Sequence, residues 1–316
     1  MSDHPVHAQH PAHAHAHAEP GAACRTASST GHLVIIGGNE DRVHDKVVLR
    51  RFVELTCSSH PRIVVLTAAS NYHDEVWAVY DRAFGELGVA HRKALAIHSR
   101  EDANHASVVD DILQADGVFM TGGDQRRLLA LIGGTAAYTA MHRAFTEHGT
   151  CIAGTSAGAS AMSAHMIAEG QGDIHPEKGV VSFAAGLGFL QHAVVDQHFS
   201  ERRRLGRLMA VVAQNPTLLG IGIDEDTALV VERGSGFEVV GDGAVTLVDG
   251  RQMSSNFLEI GDRELIELIN VRLHLLPAGA SYVHREGACS DAQVCRELTP
   301  TLHEIVDILS SNETVS

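Results

Sequence analysis

Basic side chains, aromatic rings and long apolar runs are all scarce in this chain, and each shortage removes a class of function. Lys and Arg number 24 against 39 Asp and Glu, a formal net charge of -15. Such a balance argues against a general binder of nucleic acid or membrane surface and suits cationic substrates. Aromatics make up only 4%, so aliphatic residues must carry the core, as in a sheet flanked by helices. The five cysteines, Cys24, Cys57, Cys151, Cys289 and Cys295, have neither zinc spacing nor the even count of a disulfide framework, which makes a reducing cytoplasm the expected location. No apolar run nears the roughly 20 residues of a membrane span. The first residues are polar and His-rich, unlike a signal peptide.

That opening stretch, residues 1–30, sets His4, His7, His10, His13, His15 and His17 among Ala and Pro. It cannot bury enough apolar surface to offset its ordering entropy and is expected to be disordered. It is either a solvated tail or an opportunistic binder of Zn, Ni or Cu. A single catalytic domain is expected over residues 31–285, with a tail or helix over 286–316.

From His32 a unit repeats: an apolar β-rich run, a small or polar turn, an amphipathic helix. Leu33 to Ile36 ends in Gly37-Gly38-Asn39-Glu40-Asp41. Ile63 to Leu66 ends in Thr67-Ala68-Ala69-Ser70, and Gly117 to Met120 in Thr121-Gly122-Gly123-Asp124-Gln125. Further short strands are expected at 193–195, 219–223 and 228–231, then antiparallel strands over 237–253 and a helix over 301–309. The pattern predicts an α/β fold, doubly wound, with a mostly parallel sheet, helices on both faces and a small antiparallel extension near the C-terminus. Ligands of such folds sit at the carboxyl ends of the strands.

One of those ends carries Gly154-Thr155-Ser156-Ala157-Gly158 after the apolar Cys151-Ile152-Ala153 and before a small-residue helix. A G-x-S-x-G at a strand-to-helix junction is the pattern of a nucleophile elbow: glycines allow a sharp turn that exposes the serine hydroxyl. Ser156 is therefore the candidate nucleophile. His198, at another strand-to-helix junction, is the candidate base, with His175 and His192 as competitors. Amides of Gly123, Asp124 and Ala157 are candidate oxyanion donors, and Gln125 could orient substrate. Arg202, Arg203 and Arg204 are expected in the first turn of a helix from about Glu201, where cations oppose the helix dipole. A local rule broken in this way hints at function, and Arg202, Arg204 and Arg207 could grip carboxylates. Asp224-Glu225-Asp226 is either an acidic turn or a pocket for a cationic side chain. For the carboxylate behind His198, Asp173 is the best placed, and Glu169 and Glu177 stay open. No metal or other cofactor is expected.

Taken together, Ile36 to Asp41, Phe119 to Gln125, Gly154 to Ala159, Val195 to Phe199 and Gly222 to Thr227 resemble the cyanophycinase family. These serine peptidases are related to aspartyl dipeptidases and more remotely to glutamine amidotransferase-type domains. The likeness runs from about Leu33 to Asp249. It implies metal-independent hydrolysis of cyanophycin, a polyaspartate carrying arginine on each β-carboxyl, to β-Asp-Arg dipeptides, and a homodimer. It also implies Ser156 as nucleophile and His198 as base, with Gln125, Asp196, Gln197, Arg202, Arg204 and Arg207 in the substrate pocket. The family's acidic member is a Glu whose ungapped position here is Ile174, beside Asp173. The alternatives are an aspartyl or isoaspartyl dipeptidase and a catalytically silent cyanophycin-binding protein.

Overall fold

Alternate residues of the first strand face two different cores, and this places every layer of the structure, a computed structural model that describes residues 31–233, 236–283 and 300–310. The His-rich segment and residues 284–299 and 311–316, on which part of the expected C-terminal tail falls, lie outside the described residues. The first half of the chain runs β1 (His32–Ile36), α1 (Val47–Leu55), β2 (Arg62–Leu66), α2 (His73–Glu86), β3 (His91–Leu95), α3 (Ala106–Leu113), β4 (Gly117–Met120), α4 (Gln125–Ile132), α5 (Ala136–Glu147) and β5 (Cys151–Thr155). The second half begins with α6 (Ala157–Ala161), the hairpin β6 (His165–Gly170) and β7 (Val181–Ala185), β8 (Ala193–Gln197), α7 (Leu205–Gln214), β9 (Leu219–Ile223) and β10 (Thr227–Glu232). It closes with β11 (Gly236–Gly241), β12 (Ala244–Asp249), the short pair β13 (Ser254–Ser255) and β14 (Leu268–Ile269), β15 (Arg272–Pro277), β16 (Ser281–Val283) and α8 (Pro300–Ser310).

An eight-stranded sheet has the order β16-β11-β10-β1-β5-β4-β2-β3. Its five strands from β1 to β3 are parallel, and β10, β11 and β16 extend it antiparallel. Val34 and Ile36 of β1 pack with Leu49 and Phe52 of α1 and Tyr80 and Phe84 of α2. Leu33 and Ile35 belong to the opposite core, with Ile112 of α3, Leu128 of α4, Met141 of α5 and Ala159 of α6. A strand apolar on both sides is one that must be covered on both faces, so the expected mixed α/β architecture with a mostly parallel central sheet is what forms.

The later strands depart from the expected single sheet. β8, β9, β12 and β15 make a second, four-stranded sheet in the order β15-β12-β9-β8, of which only β8 and β9 are parallel. Its inner face, through Val195, Ile221 and Val245, joins the core that also holds Leu33. Its outer face is covered by Leu208, Val211 and Val212 of α7. α8 is no loose appendage: Ile305, Val306 and Leu309 are buried in the main core. Residues 136–147, to which the sequence patterns attach no element, form α5, with Thr135 Oγ1 capping its first turn. Among the described residues no helix is long and apolar enough to cross a membrane.

Candidate active site

The backbone at residues 154–158 turns sharply because two glycines let strand and helix touch. A Cβ on Gly154 would lie 2.5 Å from the carbonyl of Gly158, and one on Gly158 would lie 2.5 Å from the carbonyl oxygen of Met120. Between them Ser156 takes φ 52°, a conformation unfavourable to any residue with a Cβ. The strain is held in place by its amide, which donates to the carbonyl of Ile36 on neighbouring β1 at 3.0 Å. The serine stands at the carboxyl end of β5 with Oγ 2.9 Å from Nε2 of His198.

His198 reaches that spot from the other sheet. It follows β8, whose neighbour β9 is parallel, with Gln197 opposite Ile223. Parallel neighbours release their chains at the same edge, so the residues after β8 and after β9 meet. Glu225, in the acidic turn after β9, thus lies with Oε1 2.6 Å from Nδ1 of His198. The second oxygen, Oε2, accepts from Nδ2 of Asn39 at 3.0 Å. Burial holds the imidazole below its ordinary pKa, and the guanidinium of Arg202 pushes the same way against the raising effect of Glu225. Burial by itself would raise the Glu225 carboxyl, but the bonds from His198 and Asn39 outweigh it and hold it below the usual range.

Asp173 does not occupy this place. Its Oδ1 accepts from the amides of Ile174 and His175 at 2.6 and 3.3 Å, within an exposed loop, and these bonds lower its pKa. The carboxylate behind the histidine is Glu225, from the Asp224-Glu225-Asp226 turn. Glu169 pairs with Arg126 on the surface, and Glu177 lines a cleft with Arg207 and Arg263. The competing histidines are elsewhere: His175 lies 3.6 Å from Asp173, and His192 precedes β8, at the far end of the strand from His198.

The turn after β4 abuts the serine, since a Cβ on Gly122 would sit 3.4 Å from that of Ser156. Of the three candidate oxyanion donors, Asp124 is already committed. Its amide donates to the carbonyl of Ala69 at 2.9 Å, and its carboxylate caps α4 by accepting from the amide of Arg126. Gly123 lies next to it. Ala157 opens α6, where an amide has no intrahelical partner. Gln125 spends its side-chain amide on β6, donating to Ile167 and Ala168 carbonyls at 3.1 and 2.9 Å.

The arginines also stand differently from expectation. α7 starts at Leu205, so Arg202 and Arg203 precede it, Arg204 is its cap residue, and Arg207 is the cation in its first turn. Arg204 and Arg207 turn inward on Asp196, which is fully buried. Asp196 accepts from Arg207 Nε at 2.7 Å and from Arg204 Nη1 at 3.1 Å. Arg204 also donates to Gln197 Oε1 at 2.9 Å, and Arg207 to the carbonyl of Gly170. Burial pulls Arg204 down to a pKa of about 10. Asp196, Gln197, Arg204 and Arg207 therefore form an internal network behind the site, whereas Arg202 and Arg203 stay exposed, and of these two Arg202 acts on His198.

Among the described residues no group of three His, Cys, Asp or Glu is arranged to hold a metal ion. A serine hydroxyl bonded to an imidazole, a carboxylate on the other ring nitrogen and the first amide of a helix beside them are an arrangement that suits acyl transfer from an amide or ester.

The profile of Peptidase family S51 matches residues 33–239. Similar curated proteins include the cyanophycinase of Nostoc sp., 38% identical over 248 residues, which covers 78% of this chain and 83% of that protein. The cyanophycinase of Geminocystis herdmanii is 36% identical over 251 residues, 79% of this chain and 92% of that protein. Among solved structures, a peptidase from an acI-B1 Actinobacterium superposes with a TM-score of 0.62 over 81% of this chain and 98% of that one; at 22% identity it speaks to the fold alone.

Proposed function

Because this chain belongs to Peptidase family S51, we propose that it is a serine peptidase that hydrolyses cyanophycin from a chain end, releasing β-Asp-Arg dipeptides. The observation that carries the chemistry is the unbroken line from Ser156 Oγ through His198 to Glu225, at 2.9 and 2.6 Å. Ser156 Oγ attacks the main-chain aspartyl carbonyl while His198 Nε2 takes its proton. Glu225 holds the imidazolium that results, keeping Nδ1 protonated and facing it. The tetrahedral oxyanion lies against the amides of Ala157 and Gly123. His198 then returns the proton to the leaving amine, and water, deprotonated by the same imidazole, releases the acyl group from the serine.

Substrate chemistry fits the surroundings. Cyanophycin offers carboxylates and guanidinium groups, and Arg202 is the exposed cation beside His198 that can meet a carboxylate. Gln125, Asp196, Gln197, Arg204 and Arg207 shape the pocket from behind, and the net charge of -15 favours a polymer rich in arginine. Cytoplasmic residence agrees with five cysteines that have neither zinc spacing nor the even count of a disulfide framework. A homodimer is the assembly that the family resemblance implies.

The test is the clearing of a cyanophycin suspension by the purified protein with EDTA present. Wild type and Asp173→Ala should clear it to β-Asp-Arg, Ser156→Ala should not, and Glu225→Gln should be slowed by about a hundredfold or more. Turnover of aspartyl dipeptides with no clearing would overturn the polymer assignment. Equal clearing by Ser156→Ala would overturn the mechanism.

A further inference from the structure

The turn after β1 touches His198 and Glu225 directly and reaches the residue before Ser156. Its Gly37 carbonyl accepts the amide of His198 at 2.8 Å. Gly38, at φ 104°, lies under the imidazole so closely that a Cβ there would be 2.4 Å from Cε1. Asn39 donates to the Glu225 oxygen that His198 does not use. Glu40 is 2% exposed and accepts two hydroxyls, from Tyr80 on Oε1 and from Thr155 on Oε2, each at 2.5 Å. Thr155 is the residue before the nucleophile.

Followed atom by atom, these contacts close a ring. Ser156 bonds His198, His198 bonds Glu225, and Glu225 bonds Asn39. Asn39 is peptide-linked to Glu40, Glu40 bonds Thr155, and Thr155 is peptide-linked to Ser156. From this ring we infer that Asn39 and Glu40 are positioning residues for the hydrolysis, which lock the nucleophile and the acid to one another through a single rigid turn.

Stability alone gives no reason for such a carboxylate. Taking one out of water is costly, and well-packed apolar residues often stabilise as much or more. Glu40 instead fixes the Thr155 side chain, and with it the end of β5 from which the strained Ser156 springs. Asn39, itself at φ 48°, fixes the rotation of the Glu225 carboxylate so that Oε1 faces Nδ1. Positions held this way matter because a misplacement of about 1 Å at a reacting group costs about a hundredfold in rate.

The inference rests on the Ser156, His198 and Glu225 reading, so Ser156→Ala is measured beside the ring variants. With soluble cyanophycin, Glu40→Gln and Thr155→Val should each lower kcat by about tenfold to a hundredfold with KM changed less than about twofold. A glutamine offers one acceptor oxygen where two hydroxyls need one each. The double variant should lose no more than the worse single, because both remove the same contact. Thr155→Ser, which keeps the hydroxyl, should recover most of the loss. Asn39→Ala, at an exposed site, should stay folded and move the acid limb of kcat/KM to higher pH, since an untethered Glu225 is more basic and draws the proton onto His198 more strongly.

Losses that multiply in the double variant, a rise in KM alone, or full activity in folded Glu40→Gln would overturn the ring. If Glu40→Gln fails to fold, Thr155→Val and Asn39→Ala decide the question by the same readouts. An inactive Ser156→Ala beside a fully active Glu40→Gln sinks only the ring, whereas an active Ser156→Ala sinks the site itself.

Discussion

His198 is held below its ordinary pKa by its surroundings, and that would set the pH range in which the proposed base acts. Burial and the nearby Arg202 guanidinium both disfavour the imidazolium before substrate arrives. The free enzyme should therefore keep kcat/KM at pH values below the ordinary imidazole range and lose it as pH falls through the depressed pKa of His198. Arg202→Gln removes one of the lowering influences, so the acid limb should shift to higher pH, and a pH profile of kcat/KM on the two proteins checks it. Residue by residue, Ser156 and His198 could be picked out in the sequence because each follows an apolar run at a turn. Glu225 sat in plain view in its acidic turn. Pairing it with His198 needed one more fact, that the strands before them are parallel neighbours, and nothing local to either stretch says so. Asp173 was attractive by its place along the chain, next to Ile174, whereas in space it accepts from the amides of its own exposed loop.

At the scale of an element, the turn between β1 and α1 behaves as a preformed part. Asp41 accepts the amides of Val43 and His44 at 2.9 Å and of Lys46 at 2.8 Å, and these bonds hold its carboxyl far below the usual range. Its own amide donates to Asp226 Oδ1 at 2.7 Å, in the same turn as Glu225. Because the folded-state pKa is depressed, the stabilisation is complete above the unfolded-chain value and disappears as pH falls toward the folded one. Asp41→Ala should thus lower stability at pH 7 by about 1 kcal/mol, as loss of a capping side chain does, and the gap from wild type should narrow in acid. Thermal melts across pH would test this. The strands and most helices were legible from apolar period and turn residues. The start of α7 was not, since seven residues separate β8 from the helix and Arg204 and Arg207 answer to Asp196, a partner on the preceding strand.

For the molecule as a whole, the sequence conveyed alternation but not the number of sheets. β8 and β9 read like further parallel strands, and they are parallel to each other; they leave the first sheet because β10 takes the place beside β1. An apolar run says that a strand is buried, and the choice between two burying partners is made by long-range packing. The closing helix is likewise integral. Removing residues 300–316 strips Ile305, Val306 and Leu309 from the core, a loss on the order of 4 to 8 kcal/mol if all three cease to be buried. The truncated protein should melt well below the full chain, as calorimetry or a circular dichroism melt would register.

The serine is carried by one sheet, the histidine by the other, and the glutamate by the turn that connects them. A slip between the layers by a fraction of an atomic diameter would leave every strand paired and every helix wound, yet strand the proposed nucleophile without its partner. Turnover is in this sense a caliper across the gap between the two layers, sensitive to their alignment where spectroscopic measures of helix and strand content would register nothing.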